Sequence, residues 1–177
     1  MPLKITLLSQ AFPGVDHSAN SRRCHRLVNA GVEFLHGCAA LSAGRDTYGY
    51  NLSVELPLMH QAIELLLKAH AARIDDTFSP KAYNHKTTKL LQDYSSRIPI
   101  FSTLVGDSQC TQLIAALEQS WQSVRYGEAV AEFSGPDYNA AGNIANLLVD
   151  EYFRVYGVPL QAHHFAVLQQ HRKESEA

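Results

Sequence analysis

"HQAIELLLKAHAARID", His60 to Asp75, decides the fold of this 177-residue chain. With the residues before it, Leu52, Leu56, Met59, Ile63 and Leu66 recur at three and four, the stripe of an amphipathic helix. Pro57 falls inside this pattern. Either the helix starts near Glu55, with Pro57 in its first turn, or a longer helix bends there. His60, Glu64 and Lys68 stand four residues apart. Each such step advances about 400°, so all three share one side. Glu64 before Lys68 is the favoured order of a helical ion pair, which stabilises by about 0.2–0.5 kcal/mol. By themselves the three read as a solvated helix face.

Helical periodicity continues on both sides. Cys24, Leu27, Val28, Gly31, Leu35 and Cys38 mark a helix over about 20–43, with Asp16, Ser18 and Asn20 as candidate caps. "HKTTKLL", His85 to Leu91, opens a shorter helix that ends near Ser95. The stretch from Arg97 to Asp107 reads as irregular. Asp107 or Ser108 can cap the next helix, whose stripe is Cys110, Leu113, Ile114, Leu117 and Trp121. Asp137 starts another, carrying Ile144, Leu147, Leu148 and Val155, and Gly157 with Pro159 ends it. "LQAHHFAVLQQH", residues 160–171, reads as a last short helix. Residues 1–17 read as an extended arm and 172–177 as a frayed tail. The expectation is one all-α domain over 1–177, an antiparallel up-and-down bundle of four to five main helices.

Composition narrows the function. A net charge of −2 and a pI near 6.5 give no global pull toward nucleic acid or anionic membrane. Cys24, Cys38 and Cys110 are odd in number, widely spaced and form no CxxC, which fits a reduced, cytoplasmic setting. No apolar run reaches the roughly 18 residues of a membrane span. The nine histidines make no HExxH and no HxxxH. His60 and Glu64 could chelate across one turn, but two ligands assign no metal. Nucleophile elbows and phosphate-binding glycine loops are absent, so no cofactor is expected.

His85 follows "PKAYN" and reads as a residue of a helix's first turn, where free N–H groups favour an anion. Lys81, Lys86 and Lys89 stand near it in the chain, with Tyr83 among them.

Taken in order, "HQAIELLLKA", "YNHKTTKLL" and "VRYGE" resemble the HEPN domain family. Ala62, Glu64, Leu67, Lys68 and Ala69 match the family's A-x-E-x-x-L-K-A helix. His85 matches the histidine that opens its next helix, and Arg125-Tyr126 its Arg-Tyr-Pro. The match covers about residues 19–126. Lys86 and Thr87 stand where the family has Asp and Leu, and Gly127 where it has Pro. The resemblance implies a helical bundle, a homodimer, and a nucleotide or RNA ligand. It also implies a role in a defence or toxin–antitoxin-type system, and a nucleotidyltransferase as partner. Its ribonuclease members use R-x(4–6)-H, and none of the nine arginines here has a histidine five to seven residues later. The resemblance thus implies a non-catalytic binding module whose polar cluster is Glu64, Lys68, Tyr83, His85, Lys89, Arg125 and Tyr126. Two alternatives stay open. One is a ribonuclease of altered motif, with His85 as general acid or base. The other is a structural or dimerisation protein with a buried polar lock.

Overall fold

A computed structural model describes residues 19–43, 52–126, 133 and 135–156. The described chain is all-α. Its elements are α1 (Ala19–Ala43), α2 (Leu52–Ile74), a 3₁₀ turn (Pro80–Tyr83), α3 (Thr87–Tyr94), α4 (Pro99–Gly106), α5 (Ser108–Tyr126) and α6 (Gly135–Tyr156). The expected arm, the tail and the helix over 160–171 lie outside the described residues, as do Asp16 and Ser18.

The order of contacts makes α2 the centre. It packs most extensively on α1 and also touches α3, α5 and α6. A helix surrounded in this way presents small or apolar groups on most of its sides. α2 does so with Leu56, Met59, Ala62, Ile63, Leu66, Leu67, Ala69, Ala71 and Ala72, all buried. The α1 stripe of Cys24, Val28, Val32, Leu35 and Cys38 closes one side. Gly31 sets that approach: a Cβ there would meet Leu66 Cγ at 3.0 Å and the Ala62 carbonyl oxygen at 3.2 Å. A side chain at Gly31 would require Leu66 and the Ala62 carbonyl to give by a few tenths of an ångström.

Polar ties join the helices. Tyr152 of α6 hydrogen-bonds His25 of α1. His70 of α2 donates from Nε2 to the Leu148 carbonyl of α6 at 2.9 Å.

Of the two starts left open for α2, the longer helix is the one seen: it begins at Leu52 and runs through Pro57, which removes one backbone donor without ending the helix. Two details differ from the sequence reading. The stretch expected to be irregular contains α4, with Pro99 in its first turn and Ile100, Phe101 and Leu104 buried. Proline at a helix start is the local signal that marks it. α3 starts at Thr87, so His85 precedes the helix. Asp107 does cap α5, accepting the N–H groups of Gln109 at 2.8 Å and Cys110 at 3.2 Å. These bonds hold its carboxyl below the usual range. Among the described residues no helix is long and apolar enough to cross a membrane.

Candidate functional site

The polar line of α2 is not a solvated face. Glu64 is 2% exposed, Lys68 6% and His60 1%. Because α2 has neighbours on several sides, its polar side goes inward and every charge there needs a partner. Glu64 meets that need through both oxygens. Oε1 accepts from the Lys68 ammonium and from the His85 backbone N–H at 3.1 Å. Oε2 lies 3.2 Å from Gln61 Nε2 and 3.0 Å from His85 Nδ1. Burial pushes the Glu64 carboxyl up, and the Lys68 and His85 bonds outweigh it, holding it below the usual carboxylate range.

His85 reaches this position by backbone strain. Its φ is 55°, a left-handed value uncommon for a residue with a side chain. That conformation costs roughly 1–2 kcal/mol. The two contacts with Glu64, one from backbone and one from ring, offset it. Gln61 Nε2 is also 3.2 Å from His85 Nδ1. Nδ1 cannot accept from Gln61 and donate to Glu64 together. An ionised carboxylate at 3.0 Å repels a bare lone pair, so we assign the proton to Nδ1 and leave Nε2 as the acceptor. The His85 side chain is 21% exposed, and Nε2 has no hydrogen-bond partner among the described residues.

α5 supplies the wall. Trp121 lies against both histidines, with ring centroids 4.7 Å from His85 and 5.8 Å from His60. The Trp121 and His60 rings are stacked at 16°. Neither nitrogen of His60 has a hydrogen-bond partner among the described residues. Burial pushes its imidazole down to about 4, so it is neutral at neutral pH. Also on α5, Glu118 accepts the Thr88 backbone N–H at 3.0 Å and the Thr87 hydroxyl at 2.9 Å. It thereby caps α3 from a neighbouring helix, since Lys86 at the capping position makes no such bond. Glu118→Ala is expected to lower stability by about 1–2 kcal/mol, the usual loss for a cap. Urea denaturation read by circular dichroism checks this.

The expected cluster therefore divides. Glu64, Lys68 and His85 are in direct contact. Tyr83 and Lys89 form a separate surface group, both donating to Asp93 Oδ2, at 2.9 and 2.7 Å. Tyr126 is 72% exposed. The side chain of Arg125 lies outside the described residues. Gln61, Glu118 and Trp121 join the site although the sequence reading gave them no role in it. Trp121 belonged to an apolar stripe, and nothing in that spacing aims it at a histidine of α2. His60, which sequence left with one partner, gains a second potential ligand neighbour in His85: the donor atoms of His60, Glu64 and His85 all lie within 4.8 Å of one another. An open groove of about 830 Å³ between α5 and α6, bordered by Leu113, Ala116, Ile144 and Leu147, includes none of these residues. No protein-family profile, no curated protein and no solved structure matches this chain.

Proposed function

We propose that the chain is a HEPN-like antiparallel helical bundle acting as a non-catalytic binding module, with His85 as its recognition residue and a nucleotide or RNA segment as its ligand. The observation that supports this most is the hold on His85. Glu64 takes its backbone N–H and its Nδ1, while Nε2 has no partner among the described residues on a partly exposed ring beside Trp121. An imidazole fixed in this way can bond a base or sugar group, and the neighbouring indole offers an apolar surface to a base. Lys81 and Lys86 are exposed nearby in the chain and can attract phosphates. The implied homodimer and nucleotidyltransferase partner belong to this same reading.

The test is a titration of full-length protein with nucleotides and single-stranded RNA at several salt concentrations. His85→Asn is the control, because asparagine tolerates the left-handed backbone better than most residues. Specific binding should weaken about tenfold or more in the variant, the equivalent of one net hydrogen bond. Binding that is equal in both proteins and vanishes with salt removes the ligand reading.

A second reading rests on the burial of Glu64 and Lys68. It makes the cluster a lock that joins α2 to the turn before α3, with no ligand. RNA cleavage lost in His85→Asn would instead favour the altered ribonuclease.

A further inference from the structure

We infer that His60, Glu64 and His85 form a binding site for one divalent transition-metal cation of the zinc class. The argument begins with His60. Among the described residues its buried imidazole has no hydrogen bond at either nitrogen, which is unfavourable away from water. Packing on Trp121 gives the ring shape complementarity and satisfies neither nitrogen. A cation would satisfy one of them, Nδ1, the nitrogen that faces Glu64.

The donor set and spacing fit. Two imidazoles and one carboxylate are a zinc set. Glu64 Oε2 is 3.0 Å from His85 Nδ1 and 3.9 Å from His60 Nδ1. Donors about 2.0–2.1 Å from one tetrahedral ion stand roughly 3.3 Å apart. All three donor atoms already lie within 4.8 Å of one another, so His60 must close toward both Glu64 and His85 to complete the triangle. Lys68 and the His85 N–H hold the other carboxylate oxygen. They leave Oε2 as a single ligand oriented by a second shell. The Lys68 charge opposes a cation, and the field of Glu118 acts the other way at His60. The partly exposed side of His85 leaves room for water or a ligand group on the metal.

Metal at Nδ1 requires His85 to carry its proton on Nε2. The proton on Nδ1 leaves to solvent, and Nε2 takes one up. The outward nitrogen then changes from acceptor to donor, beside a cation, which suits a phosphate oxygen. The metal site itself does not depend on the ligand reading above, because it is measured without nucleotide or RNA.

The experiment uses metal-stripped, full-length protein titrated calorimetrically with Zn²⁺ and spectroscopically with Co²⁺. About one equivalent should bind, with visible Co²⁺ bands of a low-coordinate nitrogen and oxygen site. His60→Phe keeps a ring against Trp121, and His85→Asn tolerates the turn. Each should weaken binding at least about 100-fold, more than the usual loss of a supporting residue. A protein with His163→Ala and His164→Ala should bind like the wild type. Absence of binding overturns the site, as does binding unchanged in His85→Asn, even if His60→Phe fails to fold. RNA binding that persists in chelator while Zn²⁺ does not bind removes the metal site alone.

Discussion

Lys68→Met is expected to lose about 3–5 kcal/mol of stability, the usual result of removing one partner from a buried ion pair. Methionine fills much of the lysine volume, so the loss would not come from a cavity. It would come from Glu64, left almost fully buried with its strongest counter-charge removed. The His85 and Gln61 bonds would remain, and they compensate only in part. Urea melts of the two proteins at neutral pH measure the difference. The double variant Glu64→Gln with Lys68→Met should recover part of it, because no charge is then left unpaired. A surface pair would behave otherwise, with a change near the 0.2–0.5 kcal/mol of a helical pair. A loss that small would show that Glu64 and Lys68 do not act as a lock.

The second large effect is loss of stability in mild acid through His70. This side chain is 0% exposed and lies edge-on to Phe101 and Tyr152. Burial pushes its imidazole from 6.5 down to about 4, against the bond to the Leu148 carbonyl. Arg73 lowers it further and Glu151 raises it. Between pH 6.5 and 4 the unfolded chain binds a proton that the folded chain does not. Stability therefore falls as pH falls through that window, and the full contribution is present above it. At 1.36 kcal/mol per unit the loss is on the order of 3 kcal/mol. His70→Gln keeps a donor for Leu148 and removes the titration. Its stability should fall less steeply than the wild type between pH 6.5 and 4. His60 and the carboxylates other than Glu151, which interacts with His70, titrate alike in both proteins and cancel in the comparison. Equal slopes would show that His70 is not held neutral.

The long helices were legible because they are long. Leu52 to Leu66, Cys110 to Trp121 and Ile144 to Val155 each repeat at three and four over several turns. The cap at Asp107 was legible because capping is a local matter of one side chain and two N–H groups. α4 was missed although its buried Ile100, Phe101 and Leu104 repeat the spacing of Leu90, Leu91 and Tyr94 in α3; its local mark was Pro99 at the helix start. The start of α3 was misread by two residues because His85 adopts a left-handed backbone, which its contacts with Glu64 favour and its own residue type does not.

The polar line on α2 marks the boundary. Periodicity establishes that His60, Glu64 and Lys68 share a side, and an ion pair from Glu64 to Lys68 is written into their spacing. Whether that side meets water depends on what else packs against the helix, and a single helical pattern does not contain its neighbours. α1, α3, α5 and α6 surround α2, so charges that spacing assigns to a surface become a buried network. The same packing brings His85 to Glu64 across 21 residues and Trp121 to His60 across 61. Those meetings are contacts between helices, and sequence spacing encodes contacts only within one.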